Sequence, residues 1–389
     1  MHFSLLLALV ALAANLGIDV YIYRRLRAHA VARRLHTGLS VLLSLLWICI
    51  ICMPKRIGDD AFMARLMWGI YIYWSFYAAK YIGVFFDAVA AIPRLWHAKR
   101  ARWVTATGIA AATALFGAMW WGALVDRFRL DIVEVDVPIE DLPDGLRGLR
   151  IVQISDWHVG TFGTDTAFVS RTVDSINALH PDLIVFTGDA VNRHSEEIVP
   201  FMGPMSRLHA PLGVYSIFGN HDYSSYYSWP SDSARVADVS RLHKLQRAMG
   251  WKVLANATAM LHVGGDSLAL IGVENIGEPP FKSYGDLPRS YPTLADSTVK
   301  VLLSHNPMHW STSIAGNDSC RIALTLAGHT HAMQIKVGGF SPAVWRYPTW
   351  GGMYDDGRGH MLYVNRGLGT VGLPMRIGAT PEITVLTLR

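Results

Sequence analysis

Five short apolar runs in the C-terminal two-thirds of the chain each end on residues of the same chemical kind. Arg150 to Ser155 runs into Asp156-Trp157-His158, Leu183 to Thr187 into Gly188-Asp189, and Gly213 to Phe218 into Gly219-Asn220-His221-Asp222. Val299 to Leu303 leads to Ser304-His305-Asn306-Pro307, and Ile322 to Leu326 leads to Gly328-His329-Thr330-His331. Apolar runs of this length, bounded by Gly and Pro, read as buried strands. In α/β sheets, sites form where loops leave the C-terminal ends of several strands. A chain that repeats the pattern five times is constrained to gather Asp, His and Asn side chains at one end of a sheet. Leu130 to Val137 alternates as a strand, a helix is expected over 166–179, and the last strands lie near 361–364 and 382–388. The Gly- and Pro-rich stretch from Ile276 to Pro292 is either a lid or a long loop.

The N-terminal third has a different texture. The chain is 51% apolar and only 17% charged, whereas soluble domains carry about a quarter charged residues. Apolar spans near 3–23, 39–53, 62–86 and 103–125 account for the deficit. They read as about four transmembrane helices, the second being short for a crossing. The first span lacks a basic leader, so it reads as an anchor rather than a cleaved signal. The fourth carries Gly108, Ala112, Gly117 and Gly122, small residues that let helices approach closely. The expected division is a membrane region over 1–125 and a second domain over 126–389.

Charge gives an orientation. Arg24, Arg25, Arg27, Arg33 and Arg34 lie between the first two spans, and Arg94, Lys99, Arg100 and Arg102 between the last two. Between the second and third, Lys55 and Arg56 are balanced by Asp59 and Asp60. Basic loops stay cytoplasmic, which puts the chain after Val125 outside the cytoplasm, in a multi-pass protein of the cytoplasmic (inner) membrane. Because the cations cluster in these loops, the net charge of +5 is a topology signal and no nucleic-acid partner is expected. Lys80 and Asp87 read as side chains that snorkel to the cytoplasmic interface. The spans show no paired charges or broken helices, which argues against a transporter. Three cysteines, Cys49, Cys52 and Cys320, make no disulfide framework or structural zinc pattern.

The strand-end residues suit divalent cations. Asp156 and His158 are one residue apart, as are His329 and His331, so in extended chain each pair projects to one side. Carboxylate and imidazole donors favour Zn, Mn or Fe over Ca or Mg. Asp189 can bridge two ions through its two oxygens. Gly188, Gly219 and Gly328 precede the candidate ligands and allow tight turns and close approach. Each motif alone is weak, since a lone Asp-x-His is commonly a surface turn. The ordered set, each after an apolar strand, is specific.

That order, Asp-x-His, Gly-Asp, Gly-Asn-His-Asp, His, Gly-His-x-His, resembles the calcineurin-like metallophosphoesterase superfamily. The closing run Asn365-Arg366-Gly367-Leu368-Gly369, Gly372-Leu373-Pro374-Met375-Arg376 and Pro381-Glu382-Ile383 is similar to its bacterial YkuE-like branch. The resemblance covers about Leu130 to Arg389 and omits the spans. It implies an α/β fold, a β-sandwich flanked by helices, with two metal ions above the strand ends. One ion is then held by Asp156, His158, Asp189 and His331, the other by Asp189, Asn220, His305 and His329. His221 is left over as a proton donor, with Asp222 either orienting it or closing a turn. The implied reaction is metal-dependent phosphoester hydrolysis.

Two departures from the family stand out. Protein phosphatases of this superfamily place a second Asp where this chain has Asn192, and an amide cannot support a histidinium as a carboxylate does. Ala332 and Met333 replace glycines usual in the branch, which reshapes the site mouth. Arg193 is either a phosphate contact or a surface residue. Tyr223 to Trp229 is read as an aromatic pocket wall, a segment dipping into the bilayer interface, or ordinary packing. With the site tied to a bilayer, lipid or envelope phosphoesters at the outer face of the membrane are the expected substrates. The alternatives are a UDP-2,3-diacylglucosamine diphosphatase type of enzyme, whose substrate is cytoplasmic, and a non-catalytic membrane sensor.

Overall fold

The computed structural model describes residues 5–53, 59–279, 281–291 and 298–389. Phe3, Lys55, Arg56 and Pro292, named above, lie outside the described residues. The chain divides into two compact units, one of residues 1–124 with 372–375 and one of 125–371 with 376–389.

The first unit has four helices long and apolar enough to cross a membrane: α1 (Leu5–Arg25), α2 (Ala30–Cys52), α3 (Asp60–Val89) and α4 (Arg102–Leu124). Helix α2 starts nine residues before the expected span, at Ala30, and takes in Arg33, Arg34 and His36. Apolar character ends near Leu39, but backbone groups close to lipid must still be bonded internally, so the helix runs on. Gly108 of α4 sits where a Cβ would come within 2.3 Å of Phe86 Cβ on α3, and Ala112 meets Gly83. Gly117 has no such neighbour. Close packing therefore explains Gly108 and Ala112 but not Gly117.

Inside this unit the structure corrects the sequence reading twice. Lys80 does not snorkel. Its Nζ lies 2.7 Å from Asp19 Oδ1 and 3.2 Å from Ser40 Oγ. Tyr77 donates to the other Asp19 oxygen at 2.7 Å, and His36 Nε2 lies 3.0 Å from the Asp19 carbonyl. Asn15 joins Tyr73 and Tyr81 one turn away. The spans thus do carry a paired charge, Asp19–Lys80, contrary to the expectation used against a transporter. Asp87 accepts from Tyr21 at 2.6 Å, from Arg25 at 3.0 Å and from Arg100, so it is tied to the basic ends of the helices.

The second unit holds two six-stranded sheets among its described residues. In chain order the strands are β1 (Asp131–Val137), β2 (Arg150–Ile154), β3 (Leu183–Phe186), β4 (Val214–Ser216), β5 (Lys252–Val253) and β6 (Ala257–Val263). They continue as β7 (Asp266–Gly272), β8 (Val299–Leu303), β9 (Leu324–Ala327), β10 (Gly352–Asp355), β11 (Met361–Val364) and β12 (Glu382–Leu388). The sheet orders are β1-β12-β2-β3-β4-β5 and β10-β11-β9-β8-β7-β6. Strands β2, β3 and β4 are parallel neighbours, as are β8 and β9. Their C-terminal ends therefore point the same way within each sheet.

Alternation along the strands builds the sandwich. Ile151, Leu183, Val185 and Leu386 of the first sheet pack on Leu268, Val301, Leu303 and Leu324 of the second. The opposite face of the first sheet, with Val152, Ile154, Ile184 and Phe186, is covered by α5 (Ala167–Ala178) and α6 (Asp232–Ala248) through Val169, Val173 and Leu242. The outer face of the second sheet packs on Trp310 and Ile314. This is the flanked β-sandwich expected from the sequence.

The buried Asp19–Lys80 pair makes a stability prediction. Lys80→Met leaves Asp19 as an uncompensated buried charge and is expected to cost about 3–5 kcal/mol. Thermal unfolding of the purified protein in micelles should show Lys80→Met falling well below the Asp19→Asn, Lys80→Met double variant. Equal loss in both would mean that the charge pair is not what the helices depend on.

Candidate metal centre

All seven predicted ligands lie just beyond strand ends: Asp156 and His158 after β2, Asp189 after β3, Asn220 after β4, His305 after β8, and His329 and His331 after β9. The local backbone is not the extended chain expected. Asp156, His158, Asp189, His329 and His331 all have positive φ, between 43° and 72°. The i, i+2 pairs converge because left-handed turns fold them inward, not because a strand alternates. Such conformations are costly for residues with a Cβ and persist where the surroundings over-determine them. The glycines are required by proximity. A Cβ on Gly219 would lie 2.2 Å from Asp189 Oδ1, and one on Gly328 would lie 2.0 Å from Ser155 Oγ.

The donor atoms form two groups. His331 Nε2 lies 3.2 Å from Asp156 Oδ1 and 3.1 Å from His158 Nε2. His305 Nε2 lies 3.2 Å from Asn220 Oδ1, from His329 Nδ1 and from Asp189 Oδ2. Asp189 Oδ2 is also 3.5 Å from His158 Nε2, so one oxygen faces both groups. Its Oδ1 accepts from the His221 N–H at 2.8 Å. Oδ2 is thus the Asp189 oxygen turned toward both groups, while Oδ1 is engaged by the backbone. Donors held at 2.0–2.2 Å from a common ion lie roughly 2.9–3.5 Å from one another, which is the spacing of the pairs above, while His158 Nε2 and Asp156 Oδ1 stand slightly wider at 3.8 Å. Asp156 Oδ1 is buried with no hydrogen-bond partner among the described residues, as a carboxylate oxygen reserved for a cation would be.

Electrostatics agree with a cation site. Burial alone would raise the Asp156 pKa, but the His331 and His158 imidazoles beside it outweigh that and hold the carboxyl well below its usual range. Burial works to lower His305, yet the Asp189 charge and hydrogen bond lift it to about 9. Burial, then the charge on His305, pushes His329 down to about 3.

His221 Nδ1 lies 2.7 Å from the Asn192 carbonyl, which can only accept, so Nδ1 carries a proton and Nε2 is left for chemistry. The backbone of Asn192, not its side chain, takes the place of the missing carboxylate. Asp222 does not touch the His221 ring. Its carboxylate accepts from the N–H groups of Asp189, Ala190, Val191 and Gly219 at 2.8–3.3 Å, closing the turn and joining the loops after β3 and β4. Of the two roles offered for Asp222, the turn is the one seen.

Several supporting residues escaped the sequence reading. Tyr226 stacks on the His221 ring at 4.1 Å and takes a hydrogen bond from Asn220 Nδ2, turning Asn220 Oδ1 inward. Tyr347 OH lies 2.9 Å from His329 Nε2. Arg376 is fully buried, donates to the carbonyls of Arg366, Gly369 and Ala379, and reaches within 3.2 Å of His331 Nδ1. Burial lowers its pKa to about 9. Tyr226 lay inside the aromatic run already noted, whereas nothing in the sequence singled out Tyr347. In the same run, Tyr223 stacks on Tyr284 and Arg193 lies over the Tyr227 ring, so packing explains much of it.

Residues 149–333 match the family described as calcineurin-like phosphoesterase. Over 299 residues the chain is 31% identical to the uncharacterized metallophosphoesterase YkuE of Bacillus subtilis, covering 71% of this chain and 95% of that protein. The chain belongs to the calcineurin-like metallophosphoesterase family. Residues 2–127 match a second family, described as "Probable Calcineurin-like phosphoesterase, transmembrane domain". This membrane-associated phosphoesterase is also 30% identical to a zebrafish (Danio rerio) transmembrane protein with metallophosphoesterase domain, covering 66% of this chain but only 57% of that protein. It is 28% identical to the UDP-2,3-diacylglucosamine pyrophosphatase LpxG of Chlamydia trachomatis, covering 62% and 84% respectively.

The raised His305 gives a metal-loading prediction for this phosphoesterase. Below about pH 9 the metal-free imidazole holds a proton that an ion on Nε2 must displace. Loading the stripped protein with Mn²⁺ or Zn²⁺ at pH 7.5 should release at least about one proton, and affinity should weaken as pH falls. Calorimetric titrations in buffers of different ionisation enthalpy measure this, and heats independent of buffer would contradict it.

Proposed function

We propose that this chain is a two-metal phosphoester hydrolase acting on lipid or envelope phosphoesters at the outer face of the cytoplasmic membrane. The observation that carries the reading is Asp189 Oδ2, which faces two separate ligand groups at 3.2 and 3.5 Å. One ion would be held by Asp156, His158, Asp189 and His331, the other by Asp189, Asn220, His305 and His329, with Mn, Fe or Zn suited to the donors. Bound there, two divalent ions supply a nucleophile at neutral pH and neutralise phosphoryl oxygens.

The chain's own residues do the rest. The Asn192 carbonyl fixes the His221 tautomer and Tyr226 fixes its ring plane, so Nε2 first takes a proton, from the attacking water, and then passes it to the leaving oxygen. Asp222 holds the loop that carries both Asn220 and His221. All seven candidate ligand positions carry metal-binding side chains, which disfavours a non-catalytic sensor.

Arginines at the end of α1 and the start of α2, and basic residues between α3 and α4, support a cytoplasmic placement of those connections. The catalytic unit would then lie outside. Similarity to the Chlamydia pyrophosphatase supports a second reading, a nucleotide-lipid diphosphatase facing the cytoplasm. A C-terminal reporter that is active only outside the cytoplasm is expected to be active. A silent reporter would favour the second reading.

Turnover of chromogenic phosphate mono- and diesters tests the chemistry. His221→Ala is expected to lower kcat by about 10²–10⁴ while elemental analysis still finds both ions. Asp189→Asn is expected to lose ions and turnover together. An unchanged kcat in His221→Ala would remove the proton-transfer role.

A further inference from the structure

The segment from Ala332 to Arg346 leaves the metal centre at His331 and returns to it at Tyr347. Its root is fixed. Ser341 Oγ donates to the Ala332 carbonyl at 2.6 Å, the Gln334 side chain accepts from the Val371 N–H at 2.7 Å, and Lys336 N–H bonds the Ile377 carbonyl at 2.8 Å. Its tip is a tight turn, Val337-Gly338-Gly339-Phe340, closed by reciprocal Val337–Phe340 hydrogen bonds of 2.9 and 3.2 Å.

The tip exposes apolar surface. Val337 is 68% exposed, Phe340 51% and Trp345 80%, with the Phe340 and Trp345 rings edge to face at 5.8 Å. Among the described residues the catalytic unit exposes ten large apolar side chains, and five of them, with Met333 and Val344, lie within 333–345. A cluster of this kind marks an interaction surface. Its composition points to lipid. Trp and Phe flank a turn that carries Lys336 and has no acidic residue between Ala332 and Arg346. Aromatic rings and cations are the side chains that settle at headgroup level. Arg346 pairs with Glu278, on the loop that also exposes Phe281 at 64%.

Among its described residues the same chain carries four candidate membrane spans. Helix α4 ends at Leu124 and β1 begins at Asp131, so the sheet starts within about 25 Å of the last span, even if the connection is fully extended.

We propose that the 333–345 turn seats in the headgroup region of the bilayer that carries the chain's own spans. A lipid phosphoester then meets the metal centre without leaving the membrane surface. That consequence rests on the hydrolase reading above, whereas the seating itself does not.

The test uses the full chain in nanodiscs of phosphatidylethanolamine and phosphatidylglycerol. Cys49→Ser, Cys52→Ser and Cys320→Ser remove the native thiols, and spin labels are placed at Phe340→Cys or Val337→Cys, with Val236→Cys on α6 as the exposed comparison. Power saturation with oxygen and a water-soluble nickel chelate reads depth. The labels at 340 and 337 are expected to favour oxygen and the label at 236 to favour the chelate. Equal chelate access at 340 and 236 would overturn the proposal. So would shielding of 340 from both reagents, which would mean that protein, such as a second copy of the chain, covers the turn. Bound metal and turnover of a water-soluble diester on the same samples report on the hydrolase reading. Their loss with lipid-like depth retained would remove that reading and leave the seating in place.

Discussion

Two carboxylates, Asp156 and Asp189, are withdrawn from water at the ends of adjacent strands, with 0% and 2% exposure. A buried charge must be paired or bonded, and the cost otherwise is several kcal/mol. Much around the centre answers that demand. His158 from the Asp156 loop, and His305 and His331 from two other strand-end loops, turn nitrogen toward the two Asp side chains. Backbone N–H groups of His221 and His329 take the remaining oxygens. To bring the groups this close, five candidate ligand residues adopt left-handed backbone and two glycines give up the space of a side chain. The sandwich supplies the rigidity that holds such strain in place.

The sandwich was legible because its central strands are apolar on both faces and end in ligand-type residues. The β6–β7 hairpin was missed. Its strands, Ala257–Val263 and Asp266–Gly272, end in no site residue, and β6 is largely half-exposed with a weak pattern. Helix α6 was missed because only Leu242 and Gln246 are buried along it, so it lacks an apolar stripe. The candidate ligands were legible from type and order. Their backbone was not, since positive φ at Asp156 or His331 is imposed by tertiary crowding and leaves no mark on residue identity. Ala332 and Met333 show this well: both are left-handed where glycine would be at ease, and the sequence showed only that glycine was absent. Tyr347 and Arg376 lie farther along the chain from the histidines they support, and no spacing rule reaches them.

In the membrane unit, hydropathy located the helices but not what they share. Asp19 lies within an apolar span and was overlooked, yet it accepts from Lys80 and Tyr77 and anchors His36 through its carbonyl. Ionisable groups at such depth are costly unless paired inside the bundle. The pairing links α1 with α3, and Ser40 brings in α2. A span judged only by its mean apolarity hides the few polar atoms that fix its neighbours.

The supports of the metal centre are all protein. Asp222 ties two loops through backbone N–H groups, the Thr187 carbonyl lies 2.8 Å from His305 Nδ1, Tyr347 meets His329, and Arg376 anchors the chain behind His331. In a cradle built this way the donors' positions depend on the fold, whereas in small domains metal binding is folding itself. Were two ions held there as proposed, the resident ion would follow supply as well as donor chemistry. On the proposed hydrolase reading, turnover would track the supply of the bound ion, a throttle that requires no dedicated regulator.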